Sequence, residues 1–209
     1  YENKNFLVLN KWSGIATQGG SKIKISIDDI IKHISSEYKL VHRLDKDTSG
    51  LLIISKNLNY ANIFGNLFKL RLIDKTYLAI CDGVPQNKES IVNLDLKNKK
   101  NENENTETYY KVLSTSKYFS FVVFKPKTGK THQLRKVAKN LSSPIIGDIK
   151  YNNHSKLSKE NLKLNAYNLV FKIKNKNYEF TSKLPLDFLQ FLKKYKFKNL
   201  SKIKNLNQR

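Results

Sequence analysis

The sequence predicts an α+β fold built on one large, mostly antiparallel mixed sheet. Three observations predict it. Segments with alternating or continuous apolar residues outnumber those with helical spacing. Most neighbouring strand-like segments are joined through polar turns, which favours antiparallel pairing. The helical stretches are few and amphipathic, suited to covering a sheet rather than to bundling with one another.

The elements follow in order. Asn5 to Lys11 reads as a short strand that turns at Trp12-Ser13-Gly14. Thr17 to Ser21 is a Gly-rich loop, but it lacks the Lys-Ser/Thr pair of a phosphate-binding loop, so a plain turn is the favoured reading. Ile27 to Ser35 has helical spacing with acidic residues in its first turn. Val41 to Lys56 reads as strand, loop and strand: His42-Arg43-Leu44-Asp45, the turn Lys46 to Gly50, then the branched apolar run Leu51 to Ile54. Leu58 to Arg71 fits an amphipathic helix, and Lys75 to Asp82 alternates as a strand ending at Gly83-Val84-Pro85. Leu96 to Asn105 is polar and of low complexity, an expected exposed loop with a poorly ordered tip.

Glu107 to Leu113 and Tyr118 to Phe124 form an expected hairpin about Ser114 to Lys117. Pro126 to Gly129 breaks it. Lys130 to Leu141 is a basic helix with Thr131 as its expected cap, closed by Pro144. Asp148 to Lys163 is a polar connector. Leu164 to Lys172 and Tyr178 to Thr181 read as a last strand pair, and Leu186 to Phe197 as an amphipathic helix. No internal repeat is visible. One domain over 1–209 is expected, with a core over 1–192 and a mobile basic tail over 193–209.

Composition narrows the function. The chain of 209 residues is long enough to bury a full core. Its net charge of +22, from 39 Lys and Arg against 17 Asp and Glu, favours a polyanionic partner. Lys, Asn and Ile are abundant throughout, so compositional drift is a second reading of the same charge. No apolar run approaches bilayer length and no signal-peptide pattern opens the chain, so a cytoplasmic protein without a membrane partner is expected. The chain opens on Tyr1 and contains no Met, as a trimmed or partial chain would. Cys81 stands alone among apolar neighbours, which excludes a disulfide framework and a cysteine-based metal site and reads as a buried structural thiol.

Where Lys is the default cation, an Arg suggests a need for a planar, always-charged fork. Only four arginines occur, and Arg43 and Arg135 fall in the most patterned stretches, as do His42 and His132. No cluster has metal-ligand spacing, and no nucleophile elbow signals a Ser-His-Asp arrangement. The remaining constellation is Asp45, Tyr77 and Arg135, with His42, Arg43, Thr48, His132 and Gln133 nearby in sequence. An Asp beside Leu44, Leu51 and Leu52 needs a cation or several donors to stay ionised, and Arg135 is a candidate partner. By physics alone, a catalytic Asp45 and a structural Asp–Arg pair stand level. Asp47 reads as turn chemistry.

His42-Arg43-Leu44-Asp45 followed by Asp47-Thr48-Ser49-Gly50-Leu51-Leu52 resembles the signature of the RluA family of pseudouridine synthases. Five further stretches resemble that family's elements, in its order. They are Asn10-Lys11-x-x-Gly14, Lys75-Thr76-Tyr77-Leu78-Ala79, Thr128 to Arg135, Pro144-Ile145-Ile146-Gly147-Asp148-x-x-Tyr151, and Leu164-x-Ala166-x-x-Leu169-x-Phe171. Together they run from about Tyr1 to Pro185. The chain departs from the pattern at Trp12, where the family usually has Pro. It departs again at Lys130 for Arg, at Lys136-Val137 for Val-His, and at Asn165 for His.

The resemblance implies a pseudouridine synthase-type catalytic domain that isomerises uridine in RNA without cofactor or metal. It implies Asp45 as the catalytic aspartate. Tyr77 would stack on the target base and be placed to take the proton from C5, and Arg135 would pair with Asp45. Leu134 would line the pocket, and Arg43 would occupy the place of the displaced nucleotide. His42, Thr48, Lys130, His132 and Gln133 are the further expected RNA-contacting residues. The Gln18 to Ser21 loop looks more like the large-subunit ribosomal RNA enzymes than the tRNA ones, and those relatives often carry an N-terminal S4-type domain that does not appear in this chain. A monomer acting on ribosomal RNA is expected. A tRNA enzyme of the same family and a catalytically silent RNA-binding protein on the same fold are the alternatives.

Overall fold

Strands form where branched and aromatic residues concentrate, and helices where caps and amphipathic spacing coincide. The structure, a computed structural model, describes residues 1–20, 23–97, 101–152, 157 and 159–198. Its first elements are β1 (Phe6–Lys11), α1 (Ile27–Ile34), β2 (Lys39–Leu40), β3 (Ser49–Ser55) and α2 (Leu58–Lys69). They are followed by β4 (Asp74–Asp82), β5 (Glu89–Lys97), β6 (Asn103–Ser116), β7 (Phe119–Pro126) and α3 (Gln133–Asn140). β8 (Leu164–Ile173), β9 (Lys176–Thr181) and α4 (Leu186–Lys194) complete the described set. The elements fall into two compact units, one of residues 1–75 with 165–183, the other of residues 76–164 with 184–198 among those described.

In the first unit β3 lies between two neighbours, and all seven of its residues are buried, as its continuous apolar run requires. β1 pairs with it antiparallel from Phe6↔Ser55 to Lys11↔Gly50. β8 pairs with it in parallel at Ser49↔Asn165 and Gly50↔Ala166, and β2 adds Leu40↔Ile54. β9 lies antiparallel to β8 from Asn168↔Thr181 to Ile173↔Lys176. Phe6, Val8, Leu51, Ile53, Phe64, Leu169 and Phe171 form the core, with α2 contributing Phe64 at zero exposure. Helix ends are set locally. The Asn57 side chain caps α2 at Tyr60 N, and Ser26 and Asp29 form a reciprocal capping box on α1. Gly50 has φ +109° and approaches the Ala166 backbone so closely that a Cβ there would collide with it. Only glycine therefore lets the chain pass from the loop 44–48 into β3 beside β8.

In the second unit β4, β7, β6 and β5 form an antiparallel sheet in that order. Val137 and Ala138 of α3 pack with Ala79, Cys81, Tyr110, Val122 and Phe124. The predicted α+β class and the mostly antiparallel, mixed character of the sheet hold.

Three expectations are corrected. The polar stretch Leu96 to Asn105 is not one loop, because β5 continues to Lys97 and β6 begins at Asn103, with Leu96↔Glu104 and Lys97↔Asn103 paired. Backbone pairing does not require apolar side chains, and Thr106 and Asn105 add hydrogen bonds to the Leu94 carbonyl and the Asp95 carboxylate. The tip, 98–100, lies outside the described residues, as do Ser21 of the Gly-rich loop and the tail beyond 198. β5 itself is an element the sequence reading lacked. Thr131 does not cap α3 either. The N-cap position is taken by His132 at φ +54°, with no side-chain cap.

Candidate active site

In the first unit the loop 44–48 is held from one side by the segment 11–17. The Thr17 hydroxyl donates to the Leu44 carbonyl at 2.7 Å and accepts the Leu44 N–H at 3.2 Å. Ser13 Oγ donates to the Asp47 carbonyl at 2.7 Å, and Gly14 N–H donates to the Lys46 carbonyl at 3.0 Å. The buried Lys11 ammonium donates to the carbonyls of Trp12, Ile15 and Lys46 at 2.9, 2.8 and 2.9 Å. An ammonium has three N–H groups, so the three carbonyls match the charged form. Burial lowers the Lys11 pKa to about 8, with the Asp47 and Asp45 carboxylates partly opposing, so the charge persists at neutral pH. Within the loop, Thr48 N–H donates to the Asp45 carbonyl at 3.1 Å. The main chain on both sides of Asp45 is thereby fixed, while its side chain is half-buried.

The other expected residues of this unit differ in exposure. Thr48 is buried at the entry to β3. Arg43 is exposed, and its Nη1 donates to Gln18 Oε1 at 3.2 Å. His42 turns to the protein: its Nε2 accepts the Ile53 N–H at 2.8 Å, and its ring lies 4.7 Å from that of Phe68. Burial, reinforced by the Lys75 charge, lowers its pKa to about 3. Folding thus holds His42 neutral, while the unfolded chain takes up a proton below about pH 6.5. Stability from this site is complete above pH 6.5 and is lost as pH falls toward 3. Denaturant titrations at pH 7 and pH 5 are expected to show a loss approaching about 1.4 kcal/mol per pH unit, and His42→Gln is expected to flatten that slope.

In the second unit Tyr77 lies on β4 opposite Phe124, half-buried against the core. The start of α3 is organised by Gln133, which is buried. Its Oε1 accepts from Thr128 Oγ at 2.7 Å and from Lys130 N–H at 3.0 Å, and its Nε2 donates to Thr108 Oγ at 2.9 Å. Gln133 thus does the anchoring expected of Thr131. Lys130 Nζ pairs with Glu104 at 2.8 Å, and Leu134 joins the core.

Arg135 is buried, and its guanidinium makes a two-point pair with Asp148: Nε to Oδ2 at 2.7 Å and Nη2 to Oδ1 at 2.6 Å. Asp148 Oδ1 also accepts the N–H groups of Lys150 and Tyr151 at 3.1 and 3.0 Å. The Tyr151 ring lies 5.2 Å from the guanidinium carbon, and its hydroxyl is 3.2 Å from His132 Nδ1. Arg135 therefore stands as a fixed cation with its orientation set from two sides. Among the described residues, no group of three His, Cys, Asp or Glu stands together as a metal site.

The family model described as RNA pseudouridylate synthase matches residues 5–140, more than half of the chain. The chain belongs to the RNA pseudouridylate synthase family. It is an enzyme, an isomerase acting on RNA. Ribosomal large subunit pseudouridine synthase C of Rickettsia bellii is 40% identical to it over 206 residues, 90% of this chain and 68% of that protein. Ribosomal large subunit pseudouridine synthase D of Borreliella burgdorferi is 35% identical over 219 residues, 93% of this chain and 67% of that protein. The structure of human RNA pseudouridylate synthase domain containing 4 shares the fold, with a TM-score of 0.83 at 24% identity over 95% of this chain and 93% of that one.

Three residues of this pseudouridine synthase were not singled out for their part in the sequence: Thr17 and Lys11, which hold the loop of Asp45, and Asp148, which holds Arg135. Lys11 and Asp148 stand inside stretches that resemble the family, and that was their only signal. Thr17 had none beyond its place at the head of a Gly-rich loop.

Proposed function

We propose that this enzyme isomerises uridine to pseudouridine in large-subunit ribosomal RNA, with Asp45 as the catalytic carboxylate and the chain working as one monomeric catalytic domain in the cytoplasm. The observation that carries the reading is the grip on residues 44–47: four successive residues are held through their main chain, so the half-buried Asp45 carboxylate stands on a fixed support. The reaction conserves every atom. The bond from C1′ to N1 breaks, the uracil turns, C5 bonds to C1′, the proton on C5 leaves and N1 gains one. Asp45 acts at the sugar, Tyr77 offers its ring to the base, and Arg135 supplies a fixed positive charge. A base must leave its stack to react, and the exposed Arg43 is suited to fill the place it leaves. The net charge of +22 supports phosphate contact along the strand. The names of the relatives support the large-subunit substrate.

Purified protein incubated with unmodified transcripts of large-subunit ribosomal RNA and of tRNA tests this directly, read by pseudouridine mapping. New pseudouridine at defined positions of the large-subunit transcript is expected, with none in tRNA. Product in tRNA alone would move the substrate, and no product in either would remove the reading.

A further inference from the structure

The geometry points to Trp12 as a stacking platform for an unpaired nucleobase beside the target uridine, a contact that fixes where the RNA strand crosses the loop of Asp45. This rests on the pseudouridine synthase reading of that loop. Trp12 is the one tryptophan of the chain, and it is 77% exposed. Tryptophan carries a large apolar surface and is normally well covered. Here, among the described residues, the ring makes no hydrogen bond and no aromatic contact. The structural task at this position belongs to the main chain: the Trp12 carbonyl accepts from the Lys11 ammonium, and any residue would supply that carbonyl. Among the described residues, no hydrogen bond or ring contact ties the indole itself to the fold.

Its place gives it a function. The Lys11 ammonium that holds the Trp12 carbonyl also holds the carbonyl of Lys46, the residue after Asp45. The main chain that carries the ring is thus tied to the same support as the proposed catalytic carboxylate. Tyr118, equally exposed at 78%, sits on the turn between β6 and β7 in the other unit and has no such tie. The segment that carries Trp12 is tied to residues 44–47, and Gln18, Arg43 and Lys46 of these two segments are exposed, with Arg43 steadied by Gln18. An aromatic face among cations is the chemistry that binds single-stranded RNA: the cations follow phosphates, and the ring accepts any base. Base flipping supplies the need. When a uridine leaves the stack its neighbour loses a stacking partner, and the exposed indole, carried on a fixed main chain, replaces it.

A single tryptophan makes the test specific, because emission reports this ring alone. Saturating single-stranded uridine-containing RNA is expected to quench the emission by half or more, and the same strand annealed to its complement to leave it nearly unchanged. On the large-subunit transcript, Trp12→Ala is expected to raise KM roughly 10-fold, with a smaller change in kcat, and Trp12→Tyr to stay within about threefold of wild type. Thermal melts of both variants at the wild-type midpoint establish that folding is not the cause. Unchanged emission at an RNA concentration that saturates filter binding, or wild-type kinetics in Trp12→Ala, would overturn the proposal. If the wild type forms no pseudouridine, the reading of the loop fails by itself. Quenching together with weaker RNA binding by Trp12→Ala would then still establish stacking.

Discussion

Asp45→Asn is expected to lower turnover on the large-subunit transcript by roughly 10³-fold or more, read as pseudouridine formed per enzyme at saturating RNA. The side chain keeps its shape and loses its charge and its capacity to take a proton or attack carbon. The loop stays in place, since Thr17, Ser13, Gly14 and Lys11 hold main-chain atoms that the substitution does not touch. A thermal melt checks that the variant is folded at the assay temperature. Asp47→Asn is the matched control. Its carboxylate is exposed and its carbonyl is what Ser13 uses, so turnover within a few-fold of wild type is expected. Equal losses in the two variants would mean that the loop depends on charge in general rather than on Asp45.

Asp148→Asn is expected to destabilise the protein by roughly 3–5 kcal/mol, on the order of 10 °C in the thermal midpoint. A buried Arg135 facing an amide keeps its desolvation cost and loses the two-point charge pairing with Asp148. The variant also weakens an acceptor for the Lys150 and Tyr151 N–H groups, so the turn that carries Tyr151 loosens with it. The double variant with Arg135→Met separates the two losses. If the lost charge pairing dominates, the double variant is more stable than Asp148→Asn alone. If the turn dominates, adding Arg135→Met recovers nothing.

Periodicity carried the reading of the fold as far as side chains report the backbone. β3 was legible nearly whole, because a branched apolar run of that length has to be a covered strand. β5 was not, because its outer half runs into Asp95, Lys97 and the polar residues of β6, and a wet two-stranded ribbon is hard to distinguish from a loop. The parallel contact of Gly50 with Ala166 joins residues more than a hundred positions apart, which no local pattern announces.

The site divides in the same way. Asp45, Tyr77 and Arg135 are named by motifs in which neighbours in sequence share a task. Thr17 with Leu44, Lys11 with Lys46, and Arg135 with Asp148 are pairs 27, 35 and 13 residues apart. Their meeting is a product of folding, so no spacing rule contains it. His42 shows the converse. Its motif suggested a surface facing RNA, whereas its ring nitrogen is engaged by the backbone of the strand behind it.

Cys81 gives the second unit a built-in clock. The one thiol of the chain lies on β4, the strand that carries Tyr77, at 1% exposure, and burial raises its pKa well above that of a free cysteine. A thiol reagent reaches the sulfur only in the moments when that strand parts from its neighbours. The pace of labelling, set against that of an unstructured thiol, thus measures the free energy needed to open the strand bearing Tyr77, in the unaltered chain and without any added label.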